Sequence, residues 1–262
     1  MPKIELIHLK KYFGRKPVLS NVNLHVNEGE TLVVIGRSGC GKSVMLKHMV
    51  GLLKPDSGNV LIDGEDIATI NEREMFRIRK KFGVLFQGGA LLDSLRVWEN
   101  VGLGLSEQKR LPENEIMEIV REKLDMVGMT GTEKYMPSDL SGGMKKRVAL
   151  ARAIALEPEI ILYDEPTTGL DPIMSDSINE LIIFLKNKLE ITSIVVTHDM
   201  ISVRKVADRV AMLQDGEIIF DGTVSDIEKT KDPVVRQFVE GRSDGKINLP
   251  SATEEEEDME FY

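Results

Sequence analysis

Gly36-Arg37-Ser38-Gly39-Cys40-Gly41-Lys42-Ser43 fits the spacing G-x-x-x-x-G-K-[ST], and its reading decides the fold. Each fixed position has a physical task. Glycines let the backbone curl until successive amide N–H groups face inward and can hold phosphate oxygens. A helix that starts directly afterwards adds the positive end of its dipole. Lys42 is placed to contact the outer phosphates, and the Ser43 hydroxyl to ligate Mg²⁺. The flanks supply the context that this reading needs. Thr31 to Ile35 is a β-branched and apolar run, the pattern of a strand buried on both faces of a parallel sheet. Ser43-Val44-Met45-Leu46 begins a helix. Gly36 through Val44 is therefore expected to bind a nucleotide's phosphates. Cys40, with no metal-ligand or catalytic spacing around it, reads as a small filler within that loop.

Working outward, Ile160-Ile161-Leu162-Tyr163 and Ser193-Ile194-Val195-Val196 are two more buried-strand runs. Between them Ile173, Ile178, Leu181, Ile182, Leu185 and Leu189 fall at helical spacing. Strand, helix, strand predicts a βαβ unit in a parallel, doubly wound α/β core. Nearer the start, Val22, Leu24 and Val26 alternate with polar residues, as in a strand with one wet face. An Asp215-Gly216 turn separates the apolar runs Val210–Leu213 and Ile218–Phe220, a strong hairpin signal. From residue 88 to about 155 the pattern is helical, with one helix starting at Pro112 and another running from Met144 to Leu156. The expected organisation is a core of residues 1–87 and 156–240 that includes an antiparallel β part. Residues 88–155 form a helical subdomain, and 241–262 a flexible acidic tail around Glu254-Glu255-Glu256-Glu257-Asp258.

Composition narrows the function. The 262 residues carry 34 Lys plus Arg against 43 Asp plus Glu, a net charge of -9, so a nucleic-acid backbone is not expected as the main partner. The single cysteine forbids an intramolecular disulfide framework and suits a reducing compartment. No signal-peptide core opens the chain, and no apolar stretch approaches the ~20 residues of a membrane span. A cytosolic chain is expected, with any membrane role arriving through a partner.

The strand Ile160–Tyr163 ends in Asp164-Glu165. Two carboxylates at the end of a buried strand are costly unless a cation or a reaction uses them. Alone, such a pair is more often a loop start or a helix cap. Downstream of a phosphate loop, Asp164 can hold Mg²⁺ and Glu165 can orient or deprotonate an attacking water.

Further motifs carry a family resemblance. Leu140-Ser141-Gly142-Gly143-Met144 resembles the signature of the ABC transporter family, ahead of the Lys145-Lys146-Arg147 run. Gln87 resembles the family's Q-loop glutamine, Gly169-Leu170-Asp171 its D-loop, and His198 its switch histidine. Phe13 before Gly14 resembles the aromatic that stacks on adenine, although Tyr12 beside it could stack instead. The resemblance implies a P-loop NTPase core with an antiparallel β subdomain and a helical insert. It also implies a head-to-tail homodimer that hydrolyses ATP with Mg²⁺. By that likeness Ser141, Gly142 and Gly143 contact the partner's ATP, His198 steadies the γ-phosphate, and Gln87 senses Mg²⁺ and the attacking water. Glu165 completes the catalytic set, and an integral membrane permease docks near Gln87.

A narrower resemblance, to the Mla/Mce lipid-transport branch, rests on Phe86 to Val101, Met136-Pro137-Ser138-Asp139, Met144 in the signature, and Asp232 to Gly241. It implies phospholipid transport across a bacterial envelope, an additional Mce-domain partner, and a place on the cytoplasmic face of the inner membrane. Two alternatives stay open: an ATPase serving a polar-solute importer, and a soluble ABC regulator that uses ATP only as a dimerisation switch.

Overall fold

All five residues of Thr31–Ile35 are buried, as their β-branched run predicts. In the computed structural model, which describes residues 2–109 and 111–242, ten strands and nine α-helices follow one another. The strands are β1 (Pro2–Phe13), β2 (Lys16–Asn27), β3 (Thr31–Ile35), β4 (Ser57–Ile62), β5 (Glu65–Asp66), β6 (Phe82–Leu85), β7 (Ile160–Asp164), β8 (Thr192–Val196), β9 (Arg209–Gln214) and β10 (Glu217–Gly222). The helices are α1 (Lys42–Met49), α2 (Glu72–Arg79), α3 (Val97–Gly104), α4 (Glu113–Met126), α5 (Gly142–Ile154), α6 (Pro172–Leu189), α7 (Met200–Val206), α8 (Val224–Lys229) and α9 (Pro233–Glu240). The acidic run 254–258 lies outside the described residues.

The chain divides into two compact units. One comprises the described residues up to Asn27, Leu32–Ile70, and those from Thr197 on. In it β2, β1, β4 and β5 form an antiparallel sheet in that order. Val22, Leu24 and Val26 turn to its buried face, so the alternation predicted from sequence sets the register. β3 pairs in parallel with β9, and β9 turns into β10 through Asp215-Gly216. Both turn residues have positive φ, 49° and 77°, which is what a two-residue hairpin matching the strand twist requires.

The other unit holds Glu28–Thr31 and Asn71–Val196. Here β6, β7 and β8 run in parallel. The connection from β7 to β8 is α6, capped at Asp171, whose carboxylate accepts from Ile173 and Met174 N–H, both at 3.0 Å. Ile178, Leu181, Ile182 and Leu185 are buried, whereas Ile173 is 81% exposed because it sits in the first turn, short of the packed stretch. Residues 88–155 contribute α3, α4 and α5 and, among the described residues, no strand. Gly83 of β6 admits close contact with α5, since a Cβ there would lie 2.5 Å from the Ala153 carbonyl oxygen.

Candidate active site

In the first unit the phosphate loop joins β3 to α1. Gly36, Gly39 and Gly41 have φ of 155°, 77° and 101°, so the loop needs glycine conformations. At Gly36 space is also short, as a Cβ would meet the Leu213 carbonyl oxygen of β9 at 2.4 Å. Gly41 occupies the N-cap of α1 and brings no side-chain acceptor, so no cap side chain competes for the helix's first amides. Lys42 is buried, and its ammonium donates to the carbonyls of Gly36 at 2.9 Å and Arg37 at 2.7 Å. The loop therefore closes around a positive charge. Burial pushes the Cys40 thiol above its ordinary pKa despite nearby Lys42, which keeps it a neutral filler.

His198 is exposed in the same unit, just past Thr197, whose N–H donates to the Val34 carbonyl of β3 at 3.2 Å. Asp199 then caps α7 through Ile201 and Ser202 N–H. At the end of β1, Phe13 is half-buried with the Lys11 ammonium 5.8 Å from its ring centroid. Tyr12 is more exposed, at 42%, and its N–H donates to Asp56. Strand alternation puts the two rings on opposite faces, so the two stacking candidates do not share one position.

In the second unit Asp164 ends β7 and Glu165 follows with φ 48°, a left-handed backbone unusual for a residue with a side chain. Glu165 is held at three points. Its N–H donates to the Val196 carbonyl at 2.9 Å, its Oε2 accepts from the Thr168 hydroxyl at 2.9 Å, and its carbonyl accepts from the Lys146 ammonium at 3.1 Å. Lys146 also donates to the carbonyl of Gln87, which lies exposed in the turn after β6. Arg152 holds the next carbonyls, Gly89 at 2.7 Å and Ala90 at 2.6 Å. In the signature, Ser141 is exposed at the N-cap of α5, its hydroxyl accepting from Met144 N–H at 3.3 Å. Gly142 is exposed beside it, while Gly143 packs against Met174. The start of a 13-residue helix is thereby presented with little side chain in front of it, a setting suited to an anion.

Each unit thus gathers its own share of the sequence-predicted residues. The first holds Phe13, Gly36 to Val44 and His198. The second holds Gln87, Ser141 to Gly143, Asp164 and Glu165. Lys146, Arg152 and Thr168 were not singled out from sequence. Lys146 had a usable signal, because it lies four and eight residues before the buried Leu150 and Ile154, on the inward face of α5.

The Ser43 hydroxyl, Gln87 amide oxygen and Asp164 carboxylate are all hard oxygen donors. Mg²⁺ takes such groups together with substrate phosphates and water rather than an all-protein cage. Among the described residues, no cluster of three or more His, Cys, Asp or Glu forms a cage of that kind. Each of the three groups is, by its own chemistry, of the hard-oxygen class that Mg²⁺ takes.

Residues 19–168 match the family model described as ABC transporter. The chain is 43% identical over 246 residues to the intermembrane phospholipid transport system ATP-binding protein MlaF of Haemophilus influenzae, covering 94% of this chain and 93% of that protein. It is 42% identical over 252 residues to a probable ribonucleotide transport ATP-binding protein of Mycobacterium leprae, covering 96% of this chain and 73% of the relative. A solved dimeric ATP-binding cassette, in a post-hydrolysis state bound to ADP and Pi, superposes with a TM-score of 0.78 at 35% identity. That match covers 84% of this chain and 98% of the cassette.

Proposed function

The chain belongs to the ABC transporter family, and from that premise we propose that its ATP hydrolysis powers phospholipid transport across a bacterial envelope. It acts as a homodimer, docked to an integral permease on the cytoplasmic face of the inner membrane and working with a Mce-domain lipid-binding protein. The observation that carries the lipid reading is the near end-to-end match with the Haemophilus phospholipid-transport protein, in which almost nothing of either chain is left over. Among the described residues, no helix is long and apolar enough to cross a membrane.

Roles follow from residue chemistry. Lys42 and the amides of Gly36 to Val44 bind the β- and γ-phosphates, and Phe13 stacks on adenine. Ser43 and Asp164, with Gln87, hold Mg²⁺, which when bound offsets charge on the phosphate oxygens. Glu165 orients the attacking water and accepts its proton, while His198 steadies the γ-phosphate. Ser141, Gly142 and Gly143 address the γ-phosphate bound by the partner subunit. Residues 88–155 act as the helical subdomain that carries this signature, and residues 1–87 with 156–240 as the nucleotide core.

A second reading, a polar-solute importer ATPase, draws on the mycobacterial relative, which is named a probable ribonucleotide transport protein. Purifying the chain in mild detergent from its native membranes, with mass spectrometry of what accompanies it, separates the two. An integral permease together with a Mce-domain protein is expected. A permease with a solute-binding protein instead would overturn the lipid reading and leave the ATPase chemistry in place.

A further inference from the structure

Lys146 is 5% exposed, on the inward face of α5. Its ammonium donates to two backbone carbonyls, those of Gln87 and Glu165, which lie 78 residues apart in the chain. Seven residues further along α5, Gly83 of β6 lies against the same helix, where a Cβ would come within 2.5 Å of the Ala153 carbonyl oxygen. Burial lowers the pKa of the ammonium, and the neighbouring Glu165 and Asp164 carboxylates oppose that shift. A buried lysine that only filled space would be a poor choice over an apolar residue, since its charge must be desolvated. Here the charge meets two acceptors belonging to the two residues that handle the attacking water. One of them, Glu165, adopts a strained positive φ of 48°, a conformation that persists only where the surroundings hold it.

We propose that Lys146 is a positioning residue for hydrolysis, its shared ammonium fixing the Glu165 carboxylate in register with the loop that carries Gln87. Displacement of that loop pulls on the same nitrogen that holds the Glu165 backbone, so loop position sets the alignment of the general base. The inference rests on the assignment of Glu165 as the residue that activates water.

The test is Lys146→Met in the intact transporter, with kcat and KM for ATP measured separately. The expected result is a fall in kcat of roughly tenfold or more with KM changed less than about twofold, because alignment matters to the reacting geometry and not to nucleotide capture. The decisive readout is the same substitution in a Glu165→Gln background, followed by single-turnover phosphate release over hours. With the carboxylate gone there is nothing left to align, so Lys146→Met should alter the residual rate by less than about twofold. An equal fall in both backgrounds, a parallel change in kcat and KM, or an unchanged kcat in folded Lys146→Met overturns the role of Lys146 alone. Full turnover by Glu165→Gln by itself overturns the assignment of Glu165 and the proposal with it. If Lys146→Met fails to fold, Lys146→Gln, which keeps two N–H donors but not the charge, is read by the same comparison.

Discussion

Glu165 and Lys146 differ in how openly they show themselves. The role proposed for Glu165 has an open signal, because an acid at the end of the apolar run Ile160–Tyr163 has no comfortable place in a core. Lys146 sits in Lys145-Lys146-Arg147, which looks like a solvated basic run until helical phase is applied. Arg147 in that run is likewise occupied, donating to the Val127 carbonyl and the Ser177 hydroxyl, both at 2.5 Å. Charge type was thus legible at once, whereas burial of the charge shows only when helical phase puts Lys146 in line with the apolar Leu150 and Ile154. The phosphate loop was legible residue by residue, since its glycine conformations are demanded by the backbone alone. At this scale the first expectation is that Glu165→Gln lowers steady-state phosphate release by roughly 10²–10⁴-fold, the range for loss of a general base. The change is nearly isosteric and leaves Lys42 and its loop untouched, so binding of a fluorescent ATP analogue should remain within about twofold of the parent. Undiminished phosphate release would remove Glu165 from the mechanism.

Between β6 and α3 the chain runs through residues 86–96 without regular structure, yet its backbone groups are well accounted for. Asn100, fully buried in the first turns of α3, is the reason on one side. Its Oδ1 accepts from Leu92 N–H at 2.8 Å, and its Nδ2 donates to the carbonyls of Leu92, Leu95 and Arg96 at 3.1, 2.9 and 3.2 Å. Arg152 of α5 holds Gly89 and Ala90 from the other side. The loop is therefore built rather than draped, and it presents Leu92, 45% exposed, and Phe86, 42% exposed, at its surface. From sequence this stretch was legible only as a family-like segment. An asparagine's four hydrogen bonds to its own loop have no periodicity to betray them, whereas α4 and α6 were visible from their apolar spacing. Asn100→Ala would remove the partner of the Leu92 N–H and that of the Leu95 carbonyl, whereas the Leu92 and Arg96 carbonyls keep the N–H groups of Leu95 and Asn100 as donors. The expected cost is about 2–4 kcal/mol, lowering Tm by roughly 5–10 °C for a chain of this size. Thermal unfolding followed by circular dichroism measures it, and a shift of less than about 1 °C would mean that Arg152 alone orders the loop.

For the whole molecule, the arrangement of elements was open to sequence reasoning to the extent that it is local. The strand, loop and helix around Gly36–Ser43, the crossover from β7 through α6 to β8, and the Asp215-Gly216 hairpin each follow from short-range pattern. How the signature acts was not local: in the proposed dimer, the exposed Ser141 and Gly142 at the head of α5 address a nucleotide phosphate bound by the second subunit. That gives a prediction about assembly. Lys42→Ala disables the phosphate loop of its own subunit, and Ser141→Arg places a bulky charge where the partner's nucleotide must dock. Either variant alone forms only defective pairs. In a mixture, the intact loop of the Ser141→Arg subunit meets the intact signature of the Lys42→Ala subunit, so each mixed head-to-tail dimer keeps one complete site. Random pairing makes half of the dimers mixed, and one working site in two sets a ceiling of about a quarter of parental phosphate release if the sites fire independently. Activity that appears on mixing and is absent from both variants separately is the expected outcome. If each subunit completed its own site, mixing would add nothing, and a flat response across all mixing ratios would rule out the shared arrangement.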